Sequence, residues 1–393
     1  MKVSTSKKRI ILFNQVSGPL FYDLSRELST NSYEVVLHTG DESLYKGRSE
    51  NFKLSIAPKY NRKSKTTKFI SWFLYLLSSI NLIFFHRKND FFIFSTNPPL
   101  IFFLIYLKKI FSKIDYLIVS YDLYPEILKS NGLIRNNGIV DRIWTFVNEK
   151  VYDGSKVIIT LNSSMRNELL KFSTKDKIRL IPPWADCSYI YPIKKVHNKF
   201  LIKNKLSNKF VILYSGNIGA DHEIDTIVNA AETLLNEKHI IFIFAGSGEK
   251  IKFIKKQKKE KKLNNILLFP YQSKKNFPFL LSAASIALVG LSKRNSNLMM
   301  PSKTISYMAA GTPIISISPE SSSLSGIIKT HNCGENIPNS DHNLLAKRII
   351  SLNSDEELLK NYSKNSRLTA INFYNKDLMI ELFIKLISES AND

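Results

Sequence analysis

The chain has 393 residues, 44% of them hydrophobic, with only 14 Gly and 14 Pro, which excludes a disordered or fibrous protein and predicts two domains of about 200 residues each. Its two cysteines, Cys187 and Cys333, exclude a disulfide framework and read as small buried thiols in a reducing cytoplasm. The formal charge of +23 is uneven, since residues 1–200 hold 31 Lys+Arg against 16 Asp+Glu; that half seeks anions, yet no RNA-binding, helix-turn-helix or zinc pattern is present and nucleic acid is not an expected partner.

Residues 1–9 are polar and basic, and the apolar run 10–13 is too short for a secretory signal, so it reads as the first strand of a parallel sheet. Further buried strands are predicted at 34–38, 91–94, 116–119 and 157–161, with the helical period at 20–29 and 140–152. Alternating strand and helix predict a doubly wound α/β domain. A stretch rich in Lys and Asn at 192–208 interrupts the pattern, and strands resume at 210–214, 240–244, 266–269, 286–289 and 313–318. The expected domains are therefore 1–195 and 196–365, with a closing helical segment at 366–393.

Between the second and third of these strands, Lys59, Arg62, Lys63, Lys65 and Lys68 precede the apolar residues 69–85, and His86-Arg87-Lys88 follow. Three serines, an asparagine and two basic flanks argue against a membrane-spanning helix. Two readings stay open: a helix lying in an anionic leaflet, anchored by the basic cluster with Trp72 and Phe73, or a core helix of the first domain.

Near the other end, Met300-Pro-Ser-Lys-Thr-Ile-Ser-Tyr-Met-Ala-Ala-Gly-Thr-Pro-Ile-Ile-Ser316 reads as a short helix, a Gly311 cap and a buried strand. Ser302 is expected to cap the helix start and Lys303 to add a cation, so that amides, dipole and ammonium converge on a phosphate.

Several motifs in order carry a family resemblance. Ile212-Leu-Tyr-Ser-Gly-Asn-Ile-Gly-Ala-Asp-His222, Phe242-Ile-Phe-Ala-Gly-Ser-Gly-Glu249, Pro270-Tyr-Gln272 and the Pro-Ser-Lys helix resemble the donor half of glycosyltransferase family 4. Ser95-Thr-Asn-Pro-Pro-Leu100, Tyr121-Asp-Leu-Tyr-Pro-Glu126 and Ile181-Pro-Pro-Trp-Ala-Asp186 resemble the acceptor half of its surface-polysaccharide branch, the colanic-acid and O-antigen type. The resemblance implies a GT-B architecture, α/β with two Rossmann-like domains facing across a cleft. It implies acceptor binding by 1–195, nucleotide-sugar binding by 196–365 and a last segment packed back on the first domain.

It also implies a retaining hexosyl or N-acetylhexosaminyl transferase that uses a nucleotide-diphosphate sugar. The implied acceptor is a lipid-linked saccharide, met by a cytoplasmic protein peripheral on the inner leaflet of the membrane.

Sugar transfer needs cations and amides aimed at the departing diphosphate. The candidates are Gly216, Asn217 and Gly219 after a strand, His222 near the next helix, Gly246 and Gly248 at a strand-to-helix turn, Tyr271 and Gln272, and Ser302 with Lys303. Asp122, with Glu126 as partner, is the candidate to orient the acceptor hydroxyl or contact the sugar, although Pro125 also suits a helix start there. Aligned on Pro-Ser-Lys, Leu298 and Ser306 stand where the family has a glutamate pair, the second of which holds the donor ribose, so Ser306 is left as a weaker contact. No paired-Asp or clustered-His motif appears, and no cofactor or metal is expected. A nucleotide-sugar epimerase of the same fold and a non-catalytic nucleotide-binding relative in an assembly complex remain as alternatives.

Overall fold

The computed structural model describes residues 8–31, 33–41, 51–61 and 64–392, so Arg62, Lys63 and the side chain of Lys65 lie outside the described residues. Two compact units are present, one made of Met1–Pro182 with Met379–Asp393 and the other of Pro183–Leu378.

The first unit holds a seven-stranded parallel sheet of β1 (Arg9–Phe13), β2 (Glu34–Thr39), β3 (Lys53–Ile56), β4 (Phe91–Ser95), β5 (Asp115–Ser120), β6 (Val157–Thr160) and β7 (Ile178–Leu180), in the order β3-β2-β1-β4-β5-β6-β7. Chain order reverses between β1 and β4, which is the switch point of a doubly wound sheet. Strands covered on both faces read as continuous apolar runs, and β4 is buried at every position. Right-handed crossovers place helices Lys65–Phe84, Ile101–Phe111 and Ile139–Asp153 on one face. Among them Phe103 meets Trp144 and Tyr106 meets Phe146 edge to face, while Lys108 Nζ reaches the Phe84 carbonyl at 3.3 Å.

Trp72 corrects one expectation. It is buried against Tyr60, Phe69 and Tyr124, because residues three and four apart on this helix share its inward face, so it serves the core and Phe73 alone of the pair points out. The core reading of this helix thus holds for its inward side, while Phe73, Leu74 and Leu77 on the outward side are exposed.

The second unit holds β8 (Phe210–Asn217), β9 (Ile240–Ser247), β10 (Ile266–Phe269), β11 (Ile286–Gly290), β12 (Ile314–Ile317) and β13 (Gly334–Ile337), ordered β10-β9-β8-β11-β12-β13. Its switch point lies between β8 and β11.

The units divide at Pro182, ahead of the expected 195, and the return to the first unit begins at Met379 rather than 366. Local bonds explain both shifts. Asp186 pairs with Lys376 at 2.8 Å; burial raises its pKa, but Lys376, the Ser188 hydroxyl and the Tyr189 amide outweigh this and hold it down at about 2. Arg367 donates to the carbonyls of Cys187 and Ile190, and Ser366 donates to that of Thr312 at 3.0 Å. The polar stretch at 192–208 is not a free linker either, since Asn198 Oδ1 accepts from the amides of Phe200 and Leu201 and caps helix Lys199–Lys203. Cys187 and Cys333 are both buried free thiols.

Candidate functional site

The site in the second unit is built where β8 ends. Gly216 takes φ +109, a conformation that suits glycine, and the Lys303 tail passes over it. Lys303 opens the short helix Lys303–Ala309. Its ammonium lies 3.7 Å from the Tyr214 ring centroid and 3.3 Å from the Asn217 carbonyl oxygen, a cation–π contact and one hydrogen bond. No carboxylate pairs with it among the described residues. Burial pushes the Lys303 pKa down to about 7, so the side chain is a cation held short of counter-charge.

Tyr307, one turn on, shares that helix face and accepts from the Ser215 amide at 2.6 Å, so the helix clasps β8 at two points. The far end of the helix is fixed by Arg367, which donates to the Ala309 carbonyl at 2.5 Å, and by Ser363, which donates to that of Gly311 at 2.6 Å. Gly311 takes φ +67 just past the helix, the place a left-handed cap requires.

Ser302 departs from expectation. It occupies the cap position in helical conformation with no side-chain bond to an amide. The amides of Thr304 and Ile305 turn back onto the carbonyls of Pro301 and Ser302, so a tight turn uses the donors that an open helix start would offer. At this corner the charge belongs to Lys303.

His222 stands beside it, with Nδ1 hydrogen-bonded to Tyr214 Oη and 3.4 Å from the Gly219 amide. Burial, then the Lys303 charge, push its pKa down to about 4. The ring is neutral near pH 7 and offers Nε2 for a hydrogen bond rather than a charge.

Gly246 and Gly248 lie at the neighbouring strand end with φ +150 and +154. A Cβ at Gly246 would stand 1.9 Å from the Gly216 carbonyl oxygen, so backbone packing against β8 accounts for this glycine. Gly246→Ala is expected to lower the stability of the second unit by about 3 kcal/mol or more, read as a fall in its unfolding midpoint; an unchanged midpoint would disprove the close approach.

Tyr271 and Gln272 follow β10 at the same carboxyl edge of the sheet, Tyr271 exposed and Gln272 Nε2 bonded to the Pro270 carbonyl at 3.0 Å. Leu298 is buried and Ser306 half-buried, so an apolar core residue occupies the first acid's place in the family pattern. Tyr214 and Tyr307 belong to this site but were not among the sequence candidates; the Tyr-Ser-Gly-Asn run at the end of β8 was the available signal.

In the first unit, Thr96 Oγ1 accepts from the amides of Tyr121 and Asp122 at 3.1 and 3.2 Å, locking the turn after β5 to the end of β4. Asp122 is half-buried there, at the carboxyl edge of the sheet. Glu126 is drawn into a separate cluster, 3.4 Å from Lys129, which pairs with Asp141 at 3.0 Å. Against burial, which lowers the Lys129 pKa, these two carboxylates raise it. That ion-pair role departs from the expected partnership of Glu126 with Asp122. No group of three His, Cys, Asp or Glu suited to a metal ion occurs among the described residues.

Two doubly wound domains make up a GT-B architecture. Residues 197–369 match the family Glycosyl transferases group 1. WbjE of Pseudomonas aeruginosa, named as a probable glycosyltransferase, is 26% identical over 275 residues, 70% of this chain and 68% of that protein. WcaI of Escherichia coli K12, named for colanic acid biosynthesis, is 28% identical over 158 residues, 39% of this chain and 38% of that protein.

Among solved structures, sucrose-phosphate synthase of Thermosynechococcus elongatus superposes with a TM-score of 0.77 at 15% identity, covering 98% of this chain and 99% of that one. Anabaena HepE, in complex with UDP and glucose, superposes at 0.76 and 10% identity, covering 97% and 100%.

Proposed function

We propose that the protein transfers a sugar from a nucleotide-diphosphate sugar to a lipid-linked saccharide, with retention at the anomeric carbon, during surface-polysaccharide synthesis on the cytoplasmic face of the membrane. The Lys303 ammonium beside Gly216 and His222, with no carboxylate partner among the described residues, carries this reading. The UDP complex of HepE and the colanic acid name of WcaI support it.

In the reaction the bond from the anomeric carbon to the phosphate oxygen breaks and the diphosphate leaves with the electron pair. The acceptor oxygen bonds to that carbon and passes its proton to an oxygen of the departing diphosphate, which has gained the electron pair. Lys303 would meet the charge that grows on the leaving diphosphate, and His222 Nε2 would add a hydrogen bond. Asp122 would orient the acceptor hydroxyl or hold the sugar. With a protein cation neutralising the phosphate, this reading needs no metal.

The test is a mass-spectrometric screen of nucleotide sugars for turnover with and without membrane extract. Turnover that needs the extract supports transfer, product from the donor alone supports an epimerase, and no turnover with any donor supports a non-catalytic binder.

A pH dependence follows from the same lysine. Its pKa of about 7 in the free protein should rise when a diphosphate supplies negative charge, so binding takes up a proton above pH 7 and nucleotide affinity falls as pH climbs toward 9. His222, with a pKa near 4, adds no charge change in that window. Calorimetry at pH 8.5 in buffers of different ionisation enthalpy measures the uptake; its absence would separate Lys303 from the diphosphate.

A further inference from the structure

Helix Ile101–Phe111 packs against both Lys65–Phe84 and Ile139–Asp153, and the inward sides of the three are core, with Trp72, Tyr75, Ile105 and Trp144 buried. Their outward sides are apolar as well. Ile70, Phe73 and Leu77 repeat along one helix at 52, 54 and 47% exposure, Phe111 ends the next at 75%, and Ile139 and Ile143 open the third at 79 and 52%. A water-facing helix surface ordinarily carries polar side chains at such positions, and a patch spread over three neighbouring helices marks an interaction surface.

Cations border these positions. Lys88, Lys113, Arg135 and Arg142 are exposed and stand in no ion pair among the described residues, whereas nearby Arg87, Lys129 and Lys156 all have acidic partners.

We infer that this three-helix face docks on an anionic lipid bilayer, its apolar side chains entering the interface and its bordering cations meeting acidic headgroups. A second copy fits less well, because a two-fold contact through this face would bring like-charged borders together. The helix segment Thr66–Phe84 has the length and composition to cross a membrane, but Trp72, Tyr75 and Ile83 fasten it to the first sheet, so it lies along the bilayer surface. The inference rests on the lipid-linked acceptor reading for its biological purpose. Its test uses neither donor nor acceptor, so either can fail alone.

The full chain is floated with phosphatidylcholine vesicles and with vesicles in which about a third of the lipid is phosphatidylglycerol. Binding is expected only to the latter. Ile70→Ser with Phe73→Ser, or Ile139→Ser with Ile143→Ser, should each reduce it about tenfold or more, and Arg135→Ser with Arg142→Ser about fivefold per cation. These side chains are exposed, so circular dichroism should match the parent.

A Phe73→Trp variant gives an independent reading, since the three native tryptophans are buried; its emission should shift to the blue with anionic vesicles and be quenched by brominated lipid. No flotation, unaltered flotation of the serine variants, or an unshifted tryptophan overturns the inference. So does a solution dimer that the same serine changes dissociate, which would assign the face to a second copy.

Discussion

Lys303→Ala is expected to lower donor turnover by about 10² or more while leaving the fold intact. Removing a preorganised charge-stabilising donor costs about 3 kcal/mol in the transition state. Among the described residues, Lys303 is the cation that bonds to the β8 turn, its ammonium 3.3 Å from the Asn217 carbonyl. The fold should survive because the ammonium is itself a burden in the free protein. Its folded pKa of about 7 lies below the model-compound value of 10.5, so the cost of burying charge is fully present below pH 7 and fades as pH rises toward the unfolded value. The alanine variant should therefore melt no lower than the parent at pH 6, because it relieves that cost. Turnover equal to the parent would remove Lys303 from the site; a lower melting temperature would show that the side chain supports the fold.

The central strands were legible because burial on both faces leaves uninterrupted apolar runs such as Ile10 to Phe13 and Phe91 to Phe94. The missed strands are β3, β7 and β13, which lie at sheet edges and carry Lys53, Arg179 and Glu335. Edge strands are short and tolerate polar residues, so they lack the signal that betrays a central one.

Lys303, Gly216 and His222 could be singled out because each follows a strand or opens a helix, where sequence punctuation is strong. What sequence left out was pairing at long range. Nothing local places Tyr307 against the Ser215 amide or brings Asp141 to Lys129. The alternatives for Ser302, a capped helix start or a tight turn, share one sequence and differ only in backbone angles.

Asp122→Asn is expected to lower transfer by about 10² or more while nucleotide affinity stays within about threefold. The asparagine keeps the shape, and the Tyr121 and Asp122 amides on Thr96 Oγ1 help to hold the backbone. Only the charge is lost, and a charge that orients the acceptor or supports the reacting sugar counts mainly in the transition state. The nucleotide groups proposed above all belong to the second unit, so donor affinity should report an undisturbed second domain while turnover reports the missing carboxylate. Calorimetry on the nucleotide alone and steady-state rates on the full reaction separate the two. Glu126→Gln supplies the contrast, because Glu126 is 3.4 Å from Lys129 in a cluster with Asp141, and its loss should lower the melting temperature of the first unit more than the rate. A fully active Asp122→Asn, or one that melts early with its rate falling in step, would make this carboxylate structural and turn the search for the acceptor group to the other side chains after β4 and β5.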